Sequence, residues 1–160
     1  MDHDTYSDEY IREILDSVKV IAMVGASANW NRPSYFAMKY LQQKGFRVIP
    51  VNPTIEGQEI LGEKVYAGLD DVPDKIDMVD IFRNSEVASG LTDDAIRLGA
   101  KVVWMQLGVR NDDAARRAEA AGLKVVMNRC PKIEYSRLYG ELGWGGFNSG
   151  VISSKRRKVV

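Results

Sequence analysis

Unbroken apolar runs alternate with amphipathic segments along most of the chain. The first run predicts a strand over about Lys19–Gly25, and Asp77–Phe82 supplies a similar one. Apolar runs without alternating polar residues are typical of parallel strands that are covered on both faces. A glycine, a basic residue and a buried strand recur in the same order at Gly45–Ile49, Gly99–Val103 and Gly122–Val126. These runs together predict five strands.

Helical spacing fills the intervals between the predicted strands. After the first strand, for example, Phe36, Ala37, Tyr40 and Leu41 fall on one face of a helix. Because helices alternate with strands, the sheet must be parallel, and right-handed crossovers leave few topologies. The sequence therefore predicts the α/β class, with a single Rossmann-like, doubly wound, mainly parallel five-stranded sheet and helices on both faces. The predicted helix starts are Ser7, Pro33, Ser85 and Asn111 or Asp112, with a last helix over residues 132–142.

The length of 160 residues suits one domain with its own core. We assign residues 1–160 to a single domain, with a flexible arm at 1–6 and a basic, solvated tail at 154–160. His3 belongs to this arm and is expected to be exposed to solvent. Residues 54–76 carry three glycines and a proline, which predicts an excursion with at most a short helical turn.

Composition narrows the classes of partner. The formal net charge is +0, so no global field would recruit nucleic acid or an anionic membrane. No apolar run approaches the ~20 residues that span a bilayer. The N-terminal residues are polar and acidic, unlike a secretory signal, and the single cysteine, Cys130, cannot form an internal disulfide. These features favour a cytoplasmic protein that binds a small molecule. The sequence leaves the question of a protein partner open.

Candidate chemistry collects where the predicted strands end. In a doubly wound sheet, ligands bind at the carboxyl ends of the strands. The first strand, a loop of small residues and the helix start form the arrangement that presents backbone N–H groups to phosphate. Arginines at this edge suit phosphate through their bidentate geometry. The candidate binding residues are Gly25, Ala26, Ser27, Arg32, Ser34, Asn52, Pro53, Phe82, Arg83, Gln106, Gly108, Asn128 and Cys130.

Several enzyme classes are disfavoured. The first loop lacks the full Gly-x-Gly-x-x-Gly pattern, and Asn52-Pro53 stands where an NAD site usually has a carboxylate. No Walker loop is present, and one histidine outside the domain body cannot complete a Ser-His-Asp set or, with one cysteine, a zinc site. We therefore predict no catalytic and no metal-binding residue. Two alternatives stay open: an NAD(P)-dependent oxidoreductase using Tyr35, Tyr135 or Tyr139, and a regulatory or interaction module with a vestigial nucleotide site.

Six short motifs, in order, resemble the small stand-alone CoA-binding proteins. These proteins are related to the N-terminal CoA-binding domain of the succinyl-CoA synthetase alpha subunit. The likeness extends over about residues 10–140, and its specificity comes from the order and spacing of the motifs. The motifs are Val24–Ser27, Pro33-Ser34, Val51–Pro53, Asp80–Arg83, Gln106–Gly108 and Asn128–Lys132.

The resemblance implies a Rossmann-like domain that holds CoA or an acyl-CoA. By analogy, the loop from Gly25 to Ser27 would meet phosphate, and Asn52-Pro53 would border the adenosine. Ile81, Phe82 and Arg83 would line the nucleotide groove, with Gln106 and Gly108 along the pantetheine path. The synthetase domain carries a lysine just after its Asn-Pro, whereas Thr54 follows here. This chain also ends before any domain with a phosphorylated histidine, so non-catalytic binding of CoA is expected rather than ligase activity.

Cys130 follows the fifth predicted strand at the same edge. Arg129 and Lys132 are its close neighbours in sequence and would favour the thiolate. We hypothesise that Cys130 lies within reach of the CoA thiol and forms a mixed disulfide with it. The alternative is a buried, inert cysteine at the end of a strand.

Overall fold

The structure, a computed structural model, describes residues 1–140. The predicted basic tail at 154–160 lies outside the described residues, and so do the last two residues of the helix predicted over 132–142. The glycine-rich run at 143–150 lies outside them too. The helices are α1 (Asp8–Ser17), α2 (Pro33–Gln43), α3 (Ser85–Arg97), α4 (Asp112–Ala120) and α5 (Pro131–Leu138). The strands are β1 (Val20–Val24), β2 (Arg47–Val51), β3 (Glu59–Ile60), β4 (Glu63–Lys64), β5 (Met78–Ile81), β6 (Val102–Met105) and β7 (Lys124–Val126).

Five parallel strands form the central sheet in the order β2-β1-β5-β6-β7. The predicted Rossmann-like α/β architecture is confirmed. Within the predicted excursion, β3 and β4 form a small antiparallel hairpin, and 3₁₀ turns lie at Pro53–Ile55 and Leu69–Asp71. This excursion carries the chain from β2 across to β5 on the other side of β1.

Two apolar cores cover the two faces of the sheet. One contains buried side chains of α1, α2 and α5, such as Leu15, Leu41 and Tyr135. The other contains those of α3 and α4, which are mainly alanines, such as Ala88 and Ala115. Helices on opposite faces are expected where the chain first winds one way from β1 and later the other way from β5, because both crossovers are right-handed.

Local hydrogen bonds define where the helices begin. Ser7 caps α1 by accepting a hydrogen bond from the Tyr10 amide. Ser85, the predicted cap of the third helix, is instead the first residue of α3, because the Asn84 side chain accepts from the Val87 amide and is therefore the cap. Asn111 caps α4 in the same way.

The N-terminal arm packs against α4 and the end of β7. His3 is only 7% exposed, and its Nδ1 lies 2.7 Å from the Tyr6 hydroxyl while its Nε2 lies 3.3 Å from a Glu119 carboxylate oxygen. The Met127 amide donates to the Tyr6 hydroxyl, and the Arg129 guanidinium lies over the Tyr6 ring. The expected solvent exposure of His3 is wrong, because these contacts enclose its ring.

Candidate ligand-binding site

The strand order reverses between β1 and β5. The chain leaves β1 towards β2 on one side and leaves β5 towards β6 on the other. The loops that follow β1 and β5 therefore diverge, and the crevice outside the carboxyl ends of such strands is where doubly wound sheets bind ligands.

A cleft of about 320 Å³ lies at this position. Six of the predicted binding residues line it, which brings together the ends of β1, β2 and β5. Pro33 also lines the cleft but was not among the predicted binding residues, although its place at a helix start was a usable signal. The lining residues are Gly25, Ser27, Arg32, Pro33, Ser34, Asn52 and Phe82.

Gly25 forms the closest contact between the β1 and β5 loops. Its φ is +91°, and a Cβ atom there would lie 2.5 Å from the Phe82 carbonyl oxygen. The Gly25 amide donates to the Val51 carbonyl at 2.9 Å, and the Phe82 amide donates to the Val24 carbonyl at 2.8 Å. Because both the conformation and the space exclude a side chain, glycine is required for this loop geometry.

Ser34 and Asn52 hold the loop in place. The Ser27 amide donates to the buried Ser34 hydroxyl at 3.1 Å, and the Asn52 side-chain amide donates to the Ala26 carbonyl at 2.9 Å. The Asn52 side-chain oxygen also accepts from the Thr54 amide at the start of the 3₁₀ turn. Ala26 is buried and does not line the cleft. Pro53, which begins that turn, is exposed and does not line the cleft either. These polar side chains thus position the loop backbone.

The N-terminus of α2 opens onto the cleft without a side-chain cap. Arg32 occupies the cap position, Pro33 the first turn, and this turn contains no acidic residue. By contrast, α1, α3 and α4 have capping side chains and acidic residues in their first turns. An uncapped helix N-terminus leaves N–H groups and a partial positive charge for an anion.

Two arginines beside the cleft have no carboxylate partner within residues 1–140. They are Arg32, and Arg83, whose Cδ atom would lie 3.0 Å from a Cβ at position 25. Arg129 instead donates to the Asp4 carbonyl and lies over the Tyr6 ring, so it faces the N-terminal arm. The arginines with carboxylate partners are Arg47, Arg97, Arg110, Arg116, Arg117 and Arg137.

The remaining predicted residues form a second group, at the ends of β6 and β7, and none of them lines the cleft. The Gly108 amide donates to the Asn128 side-chain oxygen at 2.7 Å, and Asn128 itself has a positive φ of 58°. Gln106 and Cys130 are each 8% exposed. The structure thus joins these two loops to each other.

Cys130 is the cap residue of α5, and its thiol is buried. The Trp104 indole donates to the carbonyl of the preceding residue, Arg129, at 2.9 Å. The Lys132 ammonium lies 6.0 Å from the Phe36 ring centre and 5.9 Å from that of Tyr40. The Arg129 guanidinium faces the Tyr6 ring, as described above. Both cations expected to favour the Cys130 thiolate, Arg129 and Lys132, therefore lie against aromatic rings.

Asp80 is a buried polar residue that the list of predicted site residues omits. It lies on the central strand β5, is 0% exposed, and neither carboxylate oxygen has a hydrogen-bond partner among residues 1–140. Burial raises the pKa of this carboxyl well above its ordinary value. The available signal was an aspartate inside an otherwise apolar strand, Met78–Phe82.

The alternative functions find less support at the cleft. Tyr35, Tyr135 and Tyr139 do not line it, and the last two stack on each other with ring centres 4.4 Å apart. Residues 1–140 contain no group of three His, Cys, Asp or Glu side chains that could hold a metal ion. No helix in this part of the chain is long and apolar enough to cross a membrane.

Comparisons with known proteins identify the family of this domain. The CoA binding domain family matches residues 19–136. The uncharacterized protein YneT of Bacillus subtilis is 37% identical over 126 residues, which cover 79% of this chain and 92% of YneT. A hypothetical protein from Pyrococcus horikoshii has a solved structure with a TM-score of 0.80 and 45% identity, covering 86% of this chain and 96% of its own.

A larger enzyme contains a similar domain. The acetyl-coenzyme A synthetase 1 of Candidatus Korarchaeum cryptofilum matches with a TM-score of 0.61 and 29% identity, over 72% of this chain and 27% of the enzyme chain. The fold defines the class of this protein as a Rossmann-like α/β domain. The chain belongs to the CoA binding domain family, and the predicted resemblance is confirmed.

Proposed function

We propose that this protein binds coenzyme A or an acyl-CoA in the cleft between the β1 and β5 loops and catalyses no reaction on it. Membership in the CoA binding domain family supports CoA as the ligand. The observation that carries the location is an uncapped helix N-terminus beside a glycine that admits no side chain, together with Arg32 and Arg83, which have no carboxylate partner within residues 1–140.

The phosphates of CoA match the donors at this edge. CoA carries a pyrophosphate and a 3′-phosphate, which call for N–H groups and arginines rather than a ribose-binding carboxylate. The Gly25 and Ser27 amides donate within the protein, so the loop would offer the Ala26 N–H and the first turn of α2 the Ser34 N–H, while Arg32 and Arg83 would supply the charge. Phe82 and Asn52 line the same cleft and would border the nucleotide.

The non-catalytic part of the proposal rests on the chemistry of the lining. The residues of the described cleft include no Asp, Glu, His, Cys, Lys or Tyr side chain. General acid–base catalysis requires a titratable group within hydrogen-bond reach of the reacting atoms. The cleft therefore holds and orients a ligand without a group placed to transfer a proton.

Isothermal titration calorimetry tests the proposal directly. CoA is expected to bind, with NAD and NADP weaker by at least about tenfold, or 1.4 kcal/mol. Arg32→Ala should weaken CoA, whereas Arg12→Ala, an exposed arginine on α1 outside the cleft lining, should not. Arg83→Ala should weaken CoA more than dephospho-CoA if it contacts the 3′-phosphate, and both equally if it contacts the pyrophosphate.

Two results would reject this assignment. Binding of NADP without binding of CoA would favour an oxidoreductase. Binding of none of these nucleotides would favour a regulatory module with a vestigial site.

A disulfide at Cys130 is the second part of the proposal. The Cys130 thiolate would attack one sulfur of CoA disulfide, forming a Cys130–CoA disulfide and releasing one CoA thiolate, so no further oxidant is needed. Its place as the cap of α5, at the carboxyl edge of the sheet, supports this reaction. Its low exposure requires the β7–α5 loop to open first.

Mass spectrometry distinguishes the reactive cysteine from an inert one. After incubation with CoA disulfide, the protein should gain the mass of one CoA less two hydrogens, and dithiothreitol should remove it. Cys130→Ser should gain nothing. An unmodified wild-type protein after prolonged incubation would show that Cys130 is inert.

A further inference from the structure

Three buried side-chain atoms lack hydrogen-bond partners in the part of the chain that the structure describes. They are both carboxylate oxygens of Asp80 and the Oε1 atom of Gln106. Buried polar atoms in folded proteins nearly always have a hydrogen-bond partner, so each exception calls for a partner from outside the chain or for a functional explanation. The two residues are 0% and 8% exposed, respectively.

Asp80 and Gln106 project from the same face of the sheet. Asp80 lies in register with Trp104 on the neighbouring strand β6, and Gln106 follows Trp104 by two residues. The backbone N–H of Gln106 donates to the Ile81 carbonyl, so β5 and β6 remain hydrogen-bonded as far as Gln106. Because side chains alternate along a strand, residues two apart share a face. The unpartnered atoms therefore belong to one region at the carboxyl ends of β5 and β6.

This region adjoins the wall of the cleft. Phe82 follows Asp80 by two residues, packs on the same core as α1, α2 and α5, and lines the cleft. Gln106 retains a small exposed fraction, so it lies at the outer side of the pair, with Asp80 beneath it. A ligand in the cleft that extends past Phe82 along this face would meet Gln106 first.

The chemistry of the pair selects its ligand group. A carboxyl this deeply buried, with no cation beside it, is expected to be neutral, and burial raises its pKa accordingly. A neutral carboxyl donates one hydrogen bond, whereas the Gln106 oxygen accepts one. The complementary group must accept from Asp80 and donate to Gln106 while carrying no charge, because an ion would be desolvated at high cost. A secondary amide meets these requirements.

We propose that Asp80 and Gln106 form a buried subsite for a neutral amide of the ligand, an inference that rests on CoA being that ligand. CoA carries its amides in the pantetheine arm and none in its nucleotide end. The two ends therefore interact with different parts of the protein: the phosphates with Arg32, Arg83 and the Gly25 loop, and the amide-bearing arm with β5 and β6.

Comparing two ligands in four proteins tests the subsite. Calorimetry is performed with CoA and with adenosine 3′,5′-bisphosphate, which lacks the amides, on the wild type, Asp80→Val, Asp80→Asn and Gln106→Met. We expect Asp80→Val and Gln106→Met to weaken CoA by about tenfold, the usual effect of removing one buried hydrogen-bond partner, and to leave the bisphosphate unchanged. Asp80→Asn retains a donor and an acceptor and should stay within about threefold of the wild type.

The outcomes separate this inference from the proposed function. Equal losses for both ligands would show a structural effect and overturn the subsite, as would unchanged CoA binding in both apolar variants. In that last case, buried water is the partner of these atoms. If Asp80→Val fails to fold, Gln106→Met decides alone. A wild-type protein that binds the bisphosphate as tightly as CoA refutes only the subsite, whereas one that binds neither refutes CoA binding too.

Discussion

Replacing Gly25 by alanine should destabilise the protein through two effects whose costs add, and Gly122→Ala separates them. The first effect is the backbone conformation, since φ is +91°. Gly122 has the same φ of +91° but no heavy atom within 4 Å of a Cβ placed there. Gly122→Ala therefore measures the conformational cost alone, which is about 1–2 kcal/mol.

The second effect at Gly25 is steric. A Cβ atom there would lie 2.5 Å from the Phe82 carbonyl oxygen and 3.0 Å from both the Phe82 carbonyl carbon and the Arg83 Cδ atom. The nearest of these atoms are backbone, so a rotamer change cannot relieve the contact and the two loops must separate. Overpacking of this kind costs about 1–3 kcal/mol. Gly25→Ala should therefore lower the free energy of unfolding by about 2–5 kcal/mol.

Denaturation in guanidinium chloride and calorimetry with CoA provide the readouts. Because the clash moves the cleft walls apart, Gly25→Ala should also weaken CoA by at least about tenfold, or 1.4 kcal/mol. Gly122→Ala should leave CoA affinity unchanged. If the two variants lose the same unfolding free energy to within about 0.5 kcal/mol, the resolution of such comparisons, the loops do not touch as described.

Three further predictions concern the sheet edge and its helices. Burial raises the pKa of Asp80, so the folded state binds this proton more tightly than the unfolded state does. The stability that the protonated Asp80 contributes is complete below the unfolded pKa of about 3.9. It declines as the pH rises towards the folded pKa, by up to about 1.4 kcal/mol per pH unit. In denaturation measured against pH, Asp80→Asn should lack this decline, and parallel profiles for the two proteins would contradict it. Asn84→Ala removes the cap of α3 and should lower the unfolding free energy by about 1 kcal/mol in urea denaturation, whereas no loss would mean that the cap is unimportant. Asn52→Ala removes the donor to the Ala26 carbonyl. The loss of CoA binding free energy in calorimetry should exceed the loss of unfolding free energy. An unchanged CoA affinity would show that the loop keeps its position without the Asn52 side chain.

The sequence by itself determined the local elements of this protein. The apolar runs located the five strands of the central sheet, and Gly25 with Pro33 marked the strand–loop–helix unit at the cleft. These features depend on residues within a few positions of one another, through hydrophobic periodicity and capping, and can therefore be recognised without the fold.

Only the tertiary structure decided which loops meet. The strand order brings the ends of β1, β2 and β5 together at one cleft and leaves Gln106, Asn128 and Cys130 in a neighbouring group. His3 is enclosed by a residue 116 positions away, and Asp80 loses its solvent because strands lie on both sides and helices cover the sheet. Burial and partner choice of this kind arise from contacts between distant segments, which no local pattern records.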